Sequence, residues 1–349
     1  MSQILIYGSY GYTGELIVQQ AVQKGLKPLI GGRNEDLLKA QASKHGLDYV
    51  CFNYDDQSAW DQALNQVDLL VNCAGPFSFT IREILPACLR NKVHYTDITG
   101  EIEVFQYVHQ HHQQAVEENI TLMPGVGFDV VPTDCLAKFL KDQLPSAQHL
   151  ELAFDSASGL SRGTALSLLN RLSKGSSKRV DGEVVSYPTG TLHKLIHFAG
   201  EDRFSVGVAW GDVFTAYHTT GIPNITVFTT MTPGTMKWLS RMGKWSGLMK
   251  SKPIQALGRT IIRRSISGPS DEKRISLKTH LWGRVWDNQG NEKTAELTCP
   301  ESYGLTARTA LECAENMLKG KAKSGFQTPA AAFGADFILA FDSETFVNV

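Results

Sequence analysis

Three glycines at a fixed spacing are the first residues of the chain whose types could do chemistry. They belong to the segment Gly8, Ser9, Tyr10, Gly11, Tyr12, Thr13 and Gly14. A tight glycine turn brings bare backbone against a pyrophosphate, whose charge is met by exposed N–H groups at the start of the following helix. A glycine-rich turn without a ligand is the alternative. The context favours a dinucleotide site, because the segment lies between a predicted strand and a predicted helix.

A second chemical feature follows the next predicted strand, where a dinucleotide site distinguishes the ribose 2′ substituent. An NAD-selective site usually places a carboxylate there, whereas this chain has Gly31, Gly32 and Arg33. The fork of N–H donors on Arg33 could bind a 2′-phosphate. NADP is therefore predicted as the cofactor in preference to NAD. The alternative for Arg33 is a solvated residue at the start of a helix.

These residues need a scaffold of alternating strands and helices. Apolar runs with helical patterns between them predict six strands, at residues 4–7, 28–31, 49–53, 68–72, 93–97 and 121–123. This alternation is typical of an α/β Rossmann fold, a doubly wound parallel sheet. Asp55, beyond the third strand, is predicted either to meet the adenine amino group or to lie exposed in a turn. Small residues after the fourth strand would let the dinucleotide cross the carboxyl ends of the strands: Ala74, Gly75, Pro76 and Phe77.

Several other chemistries are excluded by patterns that the sequence lacks. The Asn-x-Ala-Gly strand end resembles the short-chain dehydrogenases, which need a Tyr-x-x-x-Lys pair, but none of the ten tyrosines has lysine four residues on. There is no G-x-x-x-x-G-K-[ST] phosphate loop either. The six cysteines include no C-x-x-C pair, and His109, His111 and His112 have no carboxylate partner in the pattern. Neither a disulfide framework nor a metal site is predicted.

Length and composition place the chain among globular proteins. Its 349 residues, 42% of them hydrophobic, can form a full core and suggest two domains. A formal net charge of −1 argues against a nucleic-acid-binding protein. No run approaches the roughly 18 apolar residues of a membrane helix, and no basic leader precedes the first strand. The predicted location is the cytoplasm.

The chain resembles the saccharopine dehydrogenase-like oxidoreductase family, in particular its branch with the trans-acting enoyl reductases. The order and spacing of the matching segments carry the resemblance almost to the C-terminus. The segments are 8–14, 31–33, 72–77, 95–101, 124–134, 161–164, 268–270 and 328–334. The resemblance implies an NADP-binding Rossmann domain of residues 1–134 with a returning C-terminal segment, 302–349. It also implies an α+β substrate domain of residues 135–301.

Candidate catalytic residues lie after the fifth and sixth predicted strands and at the start of a predicted helix in the second domain. Asp97, with Gly100 and Glu101 beyond it, is predicted either to act directly or to serve in helix capping and bonds to loop amides. Asp129 could accept from the nicotinamide carboxamide or ribose, or cap the next helix. Arg162 could clamp a substrate carboxylate or carbonyl, or lie in solvent beside a Ser161 N-cap.

The charge is distributed unevenly. Residues 213–270 contain no acid and eight basic residues, so the rest of the chain carries −9. Within residues 236–264, Trp238 and Trp245 recur at helical spacing with cations on the adjacent face. This pattern suits a peripheral membrane contact or an access lid for an anionic, lipid-like substrate. The alternative, which the pattern favours, is a surface helix packed on its own domain or on the partner of a homodimer.

The predicted function is an NADP-dependent oxidoreductase. It would transfer a hydride between NADPH and a C=C, C=N or C=O group of a small-molecule or acyl substrate. The alternative from another class is a protein that binds NADP without turnover, as a sensor or at a lipid surface. In either case the chain would be cytoplasmic or membrane-associated through residues 236–264, with no nucleic-acid partner.

Overall fold

The computed structural model describes residues 3–155, 175–232, 234–235 and 277–348. The chain divides into two compact units. The first unit comprises Met1–Val131 and Tyr303–Phe333, and the second comprises Pro132–Ser302 and Gly334–Val349.

The first unit is built on a parallel sheet. Among the described residues it has seven strands, in the order β3-β2-β1-β4-β5-β6-β15. Their bounds are β1 Ile4–Tyr7, β2 Leu29–Gly32, β3 Tyr49–Cys51, β4 Leu69–Asn72, β5 His94–Asp97, β6 Thr121–Met123 and β15 Gly325–Phe326. Strands β1, β2 and β4 are buried along their whole length, as expected for strands covered on both faces. The order reverses between β1 and β4, which is where such sheets bind ligands.

Helices alternate with these strands. Their bounds are α1 Tyr12–Gln23, α2 Glu35–His45, α3 Gln57–Leu64, α4 Phe77–Asn91, α5 Ile102–Gln110, α6 His112–Glu117, α9 Ser302–Leu318 and α10 Pro329–Phe333. Helix α2 shows how local chemistry sets such bounds. The side chain of Asn34 accepts from Leu37 N at its start, and Gly46 ends it in the left-handed region (φ 65°).

The predicted Rossmann fold with a second α+β unit is confirmed. Each of the six predicted strands is present, and β15 joins them at the sheet edge beside β6. The sequence does not reveal β15, because two residues are too few to form a pattern. Gly325 is needed there, since a Cβ would lie 2.7 Å from the His112 ring in a positive-φ conformation.

The second unit contains a mixed sheet, whose main path is β10-β11-β12-β7-β13-β14-β16, with β8 and β9 attached to β12. The strands are β7 His149–Asp155, β8 Ser176–Val180, β9 Glu183–Tyr187, β10 His193–Phe198, β11 Glu201–Gly207, β12 Asn224–Thr230, β13 Lys278–Trp286, β14 Glu292–Pro300 and β16 Val347–Asn348. The other elements are α7 Val131–Gln143, α8 Asp212–Thr220 and a 3-10 helix, Ala335–Phe341. Strands β7 and β12 are parallel, whereas β13 and β14 are antiparallel to their neighbours.

Two parts of this unit differ from what the sequence predicts. The alternation of apolar and polar residues from Asp202 to Thr219 predicts antiparallel strands, but the second half of this stretch forms α8, which ends at Gly221 (φ 70°). Because β12 runs parallel to β7, the chain must cross over before β12, and α8 lies within that connection. Residues 334–349 belong to the second unit rather than the first, since Val347 pairs with Glu296 and Asn348 with Ala295.

Some predicted features lie outside the described residues. These are Ser161, Arg162 and their segment 158–164, the basic segment 236–264, and residues 268–270. Within the described part of the chain, no helix is long and apolar enough to cross a membrane. The same residues contain no group of three or more His, Cys, Asp or Glu side chains placed to hold a metal ion.

Candidate functional site

The glycine segment forms a turn with no room for side chains. Gly8 (φ 79°) donates its N–H to Gly31 O at 2.8 Å, and a Cβ on Gly8 would lie 2.8 Å from Ala74 N. A Cβ on Gly14 would lie 2.4 Å from Gly8 O. Only glycine permits these approaches, so the backbone itself forms the surface at the carboxyl end of β1.

Helix α1 begins directly on this turn. Its N-cap residue is Gly11, which has no side chain with which to accept a hydrogen bond from the first turn. Gly11, Tyr12 and Thr13 are half-buried, so this end of the helix is accessible. The partial positive charge of a helix N-terminus favours an anion at such a place.

Ser9 holds the turn from inside rather than facing outwards. It is buried, and its hydroxyl donates to Gln41 Oε1 at 2.7 Å while Gln41 Nε2 donates to Ser9 O at 2.9 Å. Glu15 of α1 also connects to α2, because its carboxylate contacts Gln41, Lys44 and His45. Burial would raise the pKa of Glu15, but hydrogen bonds from Lys44, His45 and neighbouring amides lower it to about 2. The turn is thus fixed by side chains that do not reach its outer surface.

Arg33 lies exposed immediately after β2. Its backbone N donates to the hydroxyl of Tyr10 at 3.2 Å, and the Tyr10 ring covers Gly32, where a Cβ would lie 2.5 Å from ring carbon Cε1. Among the described residues the guanidinium of Arg33 has no ion-pair partner within reach. Glu35 pairs with Lys39 at 2.9 Å instead. The position that carries a carboxylate in NAD-selective sites therefore presents an uncommitted cation.

The residues beyond β3 and β4 lie, like the glycine turn, at the carboxyl ends of the parallel strands, which we call the binding edge. Asp55 is exposed in the turn after β3, whereas its neighbour Asp56 caps α3 by accepting from Ala59 N at 3.0 Å. Ala74 N donates to Asn72 Oδ1 at 3.0 Å. Of the other residues predicted here, Gly75 is exposed, Pro76 is half-buried and Phe77 is buried.

Asp97 is the centre of a buried hydrogen-bond chain that crosses the sheet edge. The side-chain amide of Asn72 donates to Tyr95 Oη at 3.2 Å, and Tyr95 Oη donates to Asp97 Oδ2 at 2.7 Å. Asp97 Oδ1 accepts from Thr99 N at 3.0 Å and from Gly125 N at 2.9 Å. Both carboxyl oxygens are thus engaged, and Asp97 links the ends of β4, β5 and β6.

Burial dominates the ionisation of this group. Removal from water raises the pKa of Asp97 to about 6, and the charge of Glu101 adds to the rise. Hydrogen bonds from Tyr95 and from the two loop amides oppose it without cancelling it. Asp97 is fully buried in this structure, so its position suits holding the loops rather than touching a ligand.

Glu101 and Asp129 lie beside Asp97 but have different surroundings. The carboxylate of Glu101 accepts from Phe77 N at 3.2 Å and Ser78 N at 3.1 Å, so it caps helix α4. Asp129 is half-buried against Gly100, where a Cβ would lie 2.5 Å from Asp129 Oδ2. Of the acids predicted at this edge in the first unit, Asp129 is more accessible than Asp97.

Sequence reasoning missed two threonines of α9 that support the same edge. Thr306 Oγ1 accepts from Phe128 N at 2.9 Å, and Thr309 Oγ1 donates to Val126 O at 2.8 Å. Both threonines are buried. They are distant in the sequence from the loop they hold, so no local spacing indicates them. Two threonines three residues apart among the apolar residues of this helix are a signal that could have drawn attention to them.

The geometry of this edge fits a dinucleotide. Gly8 and Gly14 permit close backbone approaches that a Cβ would block, and α1 starts on this turn without a side-chain cap. Arg33, after β2, has no ion-pair partner among the described residues. Residues 4–123 match the family model described as the saccharopine dehydrogenase NADP binding domain. This segment is similar to the NADP-binding domains of saccharopine dehydrogenases. The resemblance inferred from the sequence is thereby confirmed, and so is NADP as the cofactor.

Individual relatives agree with the NADP-binding domain. A rat saccharopine dehydrogenase-like oxidoreductase is 22% identical over 162 residues, which cover 41% of this chain and 38% of the rat protein. A trans-acting enoyl reductase of Mycobacterium ulcerans is 24% identical over 140 residues, 38% of this chain and 34% of that protein. The chain thus matches well under half the length of these relatives.

A solved structure extends the likeness to the whole fold. Apo saccharopine dehydrogenase (L-Glu forming) from Saccharomyces cerevisiae superposes with a TM-score of 0.70 at 12% sequence identity, and the comparison covers 100% of both chains. At this identity the likeness concerns the fold, with its NADP-binding domain and second mixed-sheet unit.

Proposed function

We propose that this protein is an NADP-dependent oxidoreductase that transfers a hydride between NADPH and a C=C, C=N or C=O group. The observation that carries the proposal is the Arg33 guanidinium, which has no ion-pair partner in the described part of the chain, beside a turn that only glycine can form at Gly8 and Gly14. The membership of residues 4–123 in an NADP-binding domain family of oxidoreductases supports it.

Different residues of this edge would bind different groups of the cofactor. The backbone of residues 8–14 and the start of α1 would meet the pyrophosphate, and Arg33 the 2′-phosphate. Residues 74–77 would line the crossing of the strand ends, and Asp55 would face the adenine. Bound NADPH supplies the hydride. The chain's own contribution is to orient that group and to keep water away.

Three acidic or basic side chains have proposed roles beyond cofactor binding. Asp129, half-buried in the loop after β6, would accept from the carboxamide or ribose of the nicotinamide half. Asp97 would position the loops through its buried bonds rather than touch the reacting atoms. Arg162 would clamp a substrate carboxylate or carbonyl, a role that rests on the sequence alone.

An acyl or lipid-like substrate is the class that we favour. The enoyl reductase relative is named for an unsaturated acyl group. The segment 213–270 contains no acid, eight basic residues and the tryptophans Trp238 and Trp245. This composition is compatible with a partner that is anionic and has an apolar chain.

The 2′-phosphate assignment is tested by the substitution Arg33→Ala. Losing a charge-assisted contact should weaken NADPH binding about 10- to 100-fold and leave NADH binding nearly unchanged. Isothermal titration with each cofactor measures both dissociation constants. Arg90→Ala is the matched control, because Arg90 is an exposed arginine of the same unit that pairs with Asp61 at 3.0 Å. If Arg33→Ala leaves the NADPH dissociation constant unchanged, the assignment is wrong.

A further inference from the structure

Tyr10 lies at the corner between the glycine turn and the end of β2. Its ring fills the space above Gly32, so closely that a Cβ on Gly32 would overlap ring carbon Cε1 at 2.5 Å. Its hydroxyl meets the backbone of Arg33 at 3.2 Å. The tyrosine therefore joins the turn to the residue that we assign to the 2′-phosphate.

The direction of this hydrogen bond decides what the hydroxyl can still do. A backbone N–H can only donate, so the bond from Arg33 N occupies a lone pair of the Tyr10 oxygen and leaves its proton available. Within the described residues, no carbonyl or carboxylate accepts that proton. The exposed Asp55 carboxylate after β3 forms no hydrogen bond with it in the same part of the chain.

Among the described residues, Tyr10 and Arg33 therefore offer two uncommitted donor groups, and the hydrogen bond from Arg33 N to Tyr10 Oη joins their residues at one corner. The Tyr10 hydroxyl offers one proton and is tied to the backbone of Arg33, whose guanidinium offers several more. Neighbouring donors of this kind match a phosphomonoester dianion, which accepts at three oxygens. A ribose 2′-hydroxyl has no charge and gains much less from them.

We propose that Tyr10 is a second ligand of the cofactor's 2′-phosphate and, with Arg33, determines the preference for NADP over NAD. This inference rests on the proposed function, because it takes Arg33 as the first ligand. It assigns a distinct chemical role to the side chain of a residue whose place in the glycine motif would otherwise require only its backbone.

The substitution Tyr10→Phe tests the proposal while keeping the ring on Gly32. Removing a donor to a charged group should weaken NADPH binding about 10-fold and leave NADH binding within about twofold. Isothermal titration gives both constants, and titration with 2′,5′-ADP against 5′-ADP isolates the phosphate. Tyr107→Phe is the matched control, because Tyr107 lies on α5 beneath Arg82, away from β2. Urea unfolding of each variant shows whether it is folded.

A double substitution separates a ligand from a residue that merely positions Arg33. If Tyr10 binds the phosphate itself, Tyr10→Phe should still weaken 2′,5′-ADP binding several-fold in an Arg33→Ala background. No further loss in that background would overturn the proposal. So would an equal loss of NADPH and NADH binding by Tyr10→Phe, since that result indicates a general distortion of the turn.

Failure of the two assignments gives different results. If Arg33→Ala abolishes the preference for NADPH while Tyr10→Phe leaves it intact, the role of Tyr10 is wrong and the proposed function stands. If neither variant changes the preference, the 2′-phosphate site itself is misplaced.

Discussion

Asp97 illustrates how a single buried group can organise a binding edge. Its two carboxyl oxygens receive hydrogen bonds from Tyr95, Thr99 and Gly125, which belong to the ends of neighbouring strands and the loops beyond them. The carboxyl group keeps these bonds at a cost, because burial disfavours its charged form. Because Asp97 holds these strand ends and loops together, its ionisation should make the stability of this region depend on pH.

The sign of that link follows from the raised pKa. Since Asp97 titrates near pH 6 when folded and near 3.9 when unfolded, the native state binds the proton more tightly. Its contribution to stability is complete below about pH 4 and is lost as the pH rises through about 6, an effect of about 3 kcal/mol. Asp97→Asn removes this dependence. Its free energy of unfolding relative to the wild type should increase between pH 4 and 7, as measured by urea unfolding. Parallel pH profiles would contradict the account.

Residues differ in how far the sequence alone reveals them. Gly8, Gly14 and Arg33 can be found because their residue types meet a backbone or charge requirement at a fixed spacing. The sequence also presents Asp97 and Glu101, but not the choice between a direct role and a structural one. That choice depends on burial and on partners such as Phe77 N, which only the folded chain brings into place.

At the scale of elements, the fit of α1 against β1 depends on Gly14. A Gly14→Ala change would gain about 1 kcal/mol of helix propensity. The new Cβ would meet Gly8 O at 2.4 Å, a backbone atom that cannot move aside, so we expect a net destabilisation of about 1–2 kcal/mol. Urea unfolding measures it. At Gly11 a Cβ would stand 3.1 Å from the same oxygen, so Gly11→Ala should cost less. Equal effects of the two changes would argue against this packing.

Helix α9 supports the loop after β6 through Thr306. The change Thr306→Val removes the acceptor of the Phe128 N–H and should cost about 1–3 kcal/mol in the free energy of unfolding. Thr306→Ser keeps the hydroxyl and should restore most of that stability. Urea unfolding of the three proteins gives the comparison. A serine variant as unstable as the valine variant would mean that the methyl group, packed near Gly127, matters as much as the hydrogen bond.

Strands and helices could be predicted where their hydrophobic residues follow a regular pattern along the sequence. The buried strands β1, β2 and β4 are continuous apolar runs, and α9 shows apolar residues at helical spacing. The segment that forms α8 instead alternates like a strand, and its helical state follows from a parallel crossover that only the assembled sheet imposes. Strand β15 is stabilised by its neighbour β6, not by its own two residues.

At the scale of the whole molecule, a near-zero net charge conceals two oppositely charged parts. The acid-free segment 213–270 carries eight positive charges in a chain whose total is −1. If residues 236–264 meet a lipid surface, the wild type should float with anionic phosphatidylserine vesicles, and a Trp238→Ala, Trp245→Ala double variant should do so less. Neutral phosphatidylcholine vesicles are the control. Absence of binding by the wild type would exclude the membrane interpretation.

The central claim concerns turnover, and consumption of NADPH tests it most directly. The purified full chain is incubated with NADPH and representatives of three substrate classes: enoyl thioesters, imines and carbonyl compounds. The loss of near-ultraviolet NADPH absorbance is followed, and products are identified by mass spectrometry. We expect at least one class, with enoyl thioesters foremost, to oxidise NADPH and gain two hydrogens. Tight NADPH binding without oxidation across all three classes would contradict the account and indicate a protein that binds NADP without turnover.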